Sequence, residues 1–159
     1  ELIKAVCSSD ELSQKRVLNI VDLKKRIKSI MNFNERENFV EIQKVITRVS
    51  KLAKNSDLST DVLSARDYVN TKLFEKDCEL KVFEFIRELE RLFSEGYCNY
   101  LELLNLFEIN VNTIEDLFDN EKGVLIMSED LKIRNNRLNL LSLIRNYSLK
   151  IADFTLLNS

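Results

Sequence analysis

Apolar residues recur along this chain at three- and four-residue steps, the spacing that stacks side chains on one face of a helix. The cleanest run is Phe39, Ile42, Ile46, Val49 and Ala53, which predicts a helix over about 35–55. Ahead of it, Ile20, Leu23, Ile27 and Ile30 make a heptad-like seam with Val17 and Val21 beside it. That seam predicts a first helix from about Ser9, whose hydroxyl can cap the amides ahead of Asp10 and Glu11, to Met31. NFNERE breaks the two helices, with Asn34 and Glu37 spaced like a capping box. Together they read as an antiparallel hairpin, too short for a free-standing coiled coil and therefore packed on the rest of the chain.

NSDLST at 55–60 clusters turn formers, and a third helix is expected over 61–74 with Val62, Ala65, Val69 and Leu73 inward and Tyr68 at the side. Asp77 opens the helix that the rest is expected to pack around. Its face Val82, Ile86, Leu89 and Phe93 is widened by Leu80, Phe83, Phe85 and Leu92, the breadth of a helix buried among several neighbours, and Gly96 ends it. A short fifth helix follows over 100–108, and Asn112 with Glu115 starts a sixth that Gly123 closes. Ser128, ahead of Glu129 and Asp130, opens a seventh to Ala152, with Leu140, Ile144, Tyr147 and Ile151 inward. Val124 to Met127 reads as either a buried linker or an isolated strand.

Composition sharpens the class. The chain has no proline and only two glycines, the residues that punctuate strands and hairpins. The expectation is an all-α fold of about seven helices without significant sheet, either an irregular multi-helix bundle or a short HEAT-like stack; no period of 20–50 residues repeats. Residues 1–159 read as a single helical domain, with a hairpin at 9–55 packed on a body at 58–152 and a tail at 153–159. Beginning at Glu1, the chain reads as a piece of a larger intracellular protein, cytoplasmic or nuclear, with apolar runs too short to cross a membrane. Cys7, Cys78 and Cys98 are widely spaced and read as small buried hydrophobes.

Charge is segregated along the chain. Residues 1–55 carry 12 Lys and Arg against 7 Asp and Glu, residues 56–130 carry 7 against 18, and residues 131–159 carry 5 against 1. Basic terminal segments laid on an acidic middle account for much of this. The remainder suggests two candidate surfaces. One is acidic and aromatic: Glu84, Glu88 and Glu95 with Tyr97, Tyr100 and Phe107, suited to a basic peptide or helix. The other is the run Lys24, Lys25, Arg26 and Lys28, suited to phosphates.

Chemistry is restricted by what is missing. Without histidine the chain lacks the usual neutral proton shuttle and the commonest metal ligand, and two isolated glycines build no phosphate loop. No catalytic residue, metal site or cofactor is expected. RNNRLNLLSLI at 134–144 aligns with the Arg-x-Asp-Leu pattern of death-effector helices, but Asn139 stands where that pattern needs its acid, so no family is assigned from it. The resulting expectation is a non-enzymatic protein-protein interaction or scaffold domain, with a chromatin- or nucleic-acid-associated module using the basic first helix as the alternative.

Overall fold

A computed structural model describes residues 1–12, 19–94 and 99–157, and of residues 10–12 the backbone alone. Among these residues the fold is all-α: α1 Leu2–Leu12, α2 Ile20–Asn34, α3 Phe39–Ala53, α4 Asp77–Ser94, α5 Tyr100–Ile109, α6 Val111–Glu115 and α7 Leu131–Leu149. Short 3₁₀ turns sit at Thr71–Leu73, Asp116–Phe118 and Phe154–Leu156.

The seven helices are not the seven expected. The segment predicted as one helix from Ser9 to Met31 contains two, because Asn19 opens α2 by accepting hydrogen bonds from the amides of Val21 (3.0 Å) and Asp22 (3.1 Å). Ser9 is no cap; it is buried in α1 and its hydroxyl donates to Val6 O. The seam of α2 is correspondingly turned, so that Ile30 is buried but Ile20 is 61 % exposed. Asn34 ends α2 instead of capping α3. In α3 all five stripe residues, Phe39, Ile42, Ile46, Val49 and Ala53, are buried.

The predicted third helix is absent. Residues 54–70 run as turns, although Ala65 and Val69 are buried. Ser59, Thr60, Val62, Ser64, Asp67, Val69, Asn70 and Thr71 are weak helix formers that compete with, or crowd, the helical backbone. What replaces the helical hydrogen bonds is a set of polar side chains along α7. Asn136 bonds both the amide and the carbonyl of Asn70 (2.7 and 3.1 Å), and Asn139 donates to Tyr68 O (2.7 Å). Arg145 donates to Ala53 O and Leu58 O (both 3.1 Å), Asn146 to Ser59 O (2.9 Å) and Val62 O (2.7 Å), and the Tyr147 hydroxyl to Leu63 O (2.9 Å). Burial pushes the Tyr147 phenol well above its ordinary pKa, which keeps the donor protonated.

α7 is therefore the most enclosed helix, buried from Leu138 round to Leu149 and paired most extensively with α3. α4 buries Val82, Phe85, Ile86 and Leu89 but turns Leu80, Glu84 and Glu88 to solvent. Its predicted stop at Gly96 lies outside the described residues. α5 matches expectation within a residue, capped by Asn99. The sixth helix is a single turn from Val111, with Asn112 inside it. Gly123 closes the turn that follows because a Cβ there would meet Asp119 O at 2.4 Å and Leu117 O at 2.6 Å. Residues 124–127 form a linker with Ile126 buried, and Asp130, not Ser128, caps α7.

Two buried arginines fasten the layers. Arg26 is 0 % exposed, pairs with Asp22 at 2.9 Å and donates to Val6 O (3.2 Å), Ser9 Oγ (3.1 Å) and Ile151 O (3.5 Å). It thereby joins α1, α2 and the chain after α7. Arg137 on α7 meets Glu79 on α4 (2.9 Å), Glu75 (2.6 Å) and Leu125 O (3.0 Å). Burial works against the Arg137 charge, but Glu79 and Glu75 more than offset it and its pKa is raised overall. A single cluster of buried apolar side chains runs through every helix from α1 to α7.

Candidate functional site

The inward stripe of α3 fixes what its other side presents. With Phe39, Ile42, Ile46, Val49 and Ala53 buried, Lys44, Arg48 and Lys51 stand exposed at i, i+4 and i+7, about 10 Å along the helix axis. The 3₁₀ turn Phe154–Leu156 lies beside them, held by Thr47 donating to Phe154 O at 3.4 Å and by the Gln43 amide donating to Leu157 O. Between helix and turn is a cleft of ≈ 410 Å³ lined by Gln43, Lys44, Thr47, Arg48, Lys51, Thr155 and Leu157.

Three features of the cleft bear on its chemistry. No carboxylate among the described residues lines it. Among the described residues Lys44, Arg48 and Lys51 form no ion pair. Arg48 is steadied without losing its charge, its guanidinium carbon 4.1 Å over the Phe118 ring. Three cations without an ion-pair partner among the described residues, gathered in one concavity of a chain with net charge −2, form an anion-attracting surface. A second cleft of ≈ 440 Å³ mixes Lys76, Lys81 and Lys122 with Glu75, Asp77 and Asp116 and so neutralises itself.

The two expected surfaces are not assembled as the sequence suggests. Tyr97 and Glu95 lie outside the described residues. Phe107 is 1 % exposed and packs edge-on against Phe85 at 5.5 Å; it is core, because α5 turns it toward α4. Tyr100 is half-buried, its hydroxyl bonded to Asp22 across α2 and α5. Of the described members of that set, Glu84 and Glu88 stand exposed. In the basic run, Lys24, Lys25 and Lys28 are exposed, whereas Arg26 points inward to Asp22, since the two share a helix face.

Several determinants had no place in the sequence reading. The polar set Asn136, Asn139, Arg145 and Asn146 of α7 is one; its signal is the density of asparagine, a poor helix former, inside a helix. The Glu79–Arg137 pair is another. Among the described residues no group of three or more Cys, Asp or Glu is placed to hold a metal ion, and no helix is long and apolar enough to cross a membrane. Cys78 is buried, and burial with the neighbouring Glu79 charge pushes its thiol pKa up.

No protein-family model matches the chain. Individual relatives do. Over 158 residues, 97 % of the chain, it is 29 % identical to the glycine-tRNA ligase beta subunit of Gloeothece citriformis, covering 22 % of that protein. It is 31 % identical to the same subunit of a Picosynechococcus species, again over 97 % of the chain and 22 % of the relative. With that of Persephonella marina it shares 32 % identity over 82 % of the chain and 17 % of the relative. These relatives correct the expectation of a non-enzymatic scaffold or adaptor, and they do not favour the chromatin-associated alternative: what matches, almost end to end, is part of a ligase, an enzyme. Absence of histidine and of glycine loops excluded common chemistries within this stretch, but it says nothing of the larger protein in which such a stretch occurs. The chain spans about a fifth of the length of the curated relatives it matches, and over nearly all of its own length it is similar to that part of a glycine-tRNA ligase beta subunit.

Proposed function

We propose that the chain is a helical part of a glycine-tRNA ligase beta subunit and that it contributes to holding tRNA. The similarity across 97 % of the chain carries this reading. The α3 cleft gives it a face. A polynucleotide backbone is recognised first as a row of negative charges, and Lys44, Arg48 and Lys51 offer a row of unpaired positive ones. Residues 1–159 would act as one helical unit, since a single apolar core links all seven helices. A beta subunit also implies a companion subunit of the same ligase, and the relatives being bacterial, the address would be the cytoplasm.

Binding of an in-vitro transcribed glycine tRNA to the 159-residue chain tests the proposal. At low salt the chain should retain the tRNA, and Lys44→Glu combined with Lys51→Glu should weaken retention at least tenfold while leaving the helical circular-dichroism signal unchanged. No retention by the unaltered chain at low salt, or equal retention by the reversed variant, overturns it.

A further inference from the structure

A second concavity differs in character from the basic one. Between the loop after α3 and the start of α7 lies a cleft of ≈ 290 Å³ lined by Ser56, Asp57, Leu58, Tyr68, Asn135 and Asn139. Tyr68 is 44 % exposed in a chain whose other described tyrosines are half-buried or buried. Its main chain is not free to move, because Asn139 donates to Tyr68 O at 2.7 Å and accepts from the Ser56 hydroxyl at 3.2 Å, which ties both walls to α7. Asn135, exposed at the rim, forms no hydrogen bond among the described residues, so its amide has both donors and its acceptor available.

We propose that this cleft takes one unpaired nucleobase of the bound RNA, stacked on the Tyr68 ring with its edge toward Asn135. The proposal rests on the tRNA reading above. A flat aromatic face presented on a rigid loop is what an unstacked base needs for stacking, and a carboxamide supplies a donor and an acceptor side by side for a base edge. The Asp57 carboxylate in the same lining can accept from an exocyclic amino group, a contact that a phosphate would be repelled by. The two clefts then divide the work. Lys51 and Ser56 both belong to the C-terminal end of α3 and the loop it enters, so backbone charge is met on one side and a base on the other.

The test compares two probes, a glycine tRNA transcript with its single-stranded loops and a blunt RNA duplex of similar length. Tyr68→Ala should weaken tRNA binding about tenfold and leave duplex binding unchanged, while Tyr68→Phe, which keeps the ring, should bind both like the parent. Lys44→Glu with Lys51→Glu should weaken both probes. If Tyr68→Ala binds tRNA as tightly as the parent while the charge reversal still weakens both probes, the base cleft is wrong and the backbone reading stands. If the parent binds neither probe, both fall together. Equal weakening on both probes from Tyr68→Ala, with the circular-dichroism signal intact, would also overturn the base-specific role.

Discussion

Asn136 holds both backbone polar groups of Asn70 at once, its Oδ1 accepting from the Asn70 amide at 2.7 Å and its Nδ2 donating to the Asn70 carbonyl at 3.1 Å. The carboxamide behaves as a one-residue strand partner, and Asn136 is itself buried. Asn136→Leu keeps the approximate volume and removes both bonds, leaving a donor and an acceptor of the loop unsatisfied. The expected cost is about 2–6 kcal/mol, on the basis of about 1–3 kcal/mol for each of the two orphaned groups. Asn136→Asp keeps the acceptor but turns a carboxylate oxygen toward the Asn70 carbonyl at a buried position, so it should not recover the loss. Urea unfolding with unchanged slope reads both, and equal midpoints for Asn136→Leu and the parent would contradict the role given to this residue.

The pair of Arg137 and Glu79 is more deeply enclosed, at 3 and 0 % side-chain exposure. Glu79 also accepts from the amides of Glu75 (2.7 Å) and Lys76 (3.1 Å), so it organises the approach to α4 as well as the pair. Removing one partner strands a buried charge: Arg137→Met or Glu79→Leu should each destabilise by about 3–5 kcal/mol. The double replacement removes both charges together and should cost clearly less than the two single costs added. A double-mutant cycle by chemical denaturation checks this, and simple additivity would show that the two side chains act independently.

These interactions explain why some of the fold was legible in the sequence and some was not. α3 was readable because every residue of its apolar stripe, from Phe39 to Ala53, is buried as the spacing requires. The same logic failed at Val62, Ala65, Val69 and Leu73, where helical spacing is present but the chain is held open by Asn136, Asn139, Asn146 and Tyr147, more than sixty residues away. Spacing reports which side chains seek the core, and a buried loop can satisfy it as well as a helix can. Charge was harder still. The densest basic run contains one arginine consumed in the interior, while the cations of the α3 cleft are spread over eight residues and become a cluster only when Thr155 and Leu157 close the far wall. The similarity to a ligase subunit, in turn, has no short motif to carry it.

The run from Lys24 to Lys28 separates into two kinds of residue with different consequences. Arg26→Met takes the guanidinium from Asp22 and releases the carbonyl of Ile151, and it should cost about 3 kcal/mol or more. Lys24→Ala, Lys25→Ala and Lys28→Ala, each at an exposed position, should stay within about 0.5 kcal/mol of the parent. Thermal melts of the four variants distinguish the cases; a uniformly small effect would mean that Arg26 is not the internal fastening that its hydrogen bonds indicate.

The α3 cleft makes a prediction about salt that a merely structural role would not. If Lys44, Arg48 and Lys51 neutralise phosphates, each neutralised phosphate releases counterions, and the logarithm of the tRNA association constant falls linearly with the logarithm of salt concentration. Replacing Lys44 or Lys51 with alanine should then lower affinity and make that slope shallower by about one for each phosphate no longer neutralised. Lys24→Ala on α2 should leave the slope unchanged, because α2 is not the face proposed here. Fluorescence anisotropy of labelled tRNA across a series of salt concentrations measures all three. A slope that responds to Lys24 and not to Lys44 or Lys51 would move the RNA-binding face from α3 to α2, even though affinity at a single salt concentration looked the same.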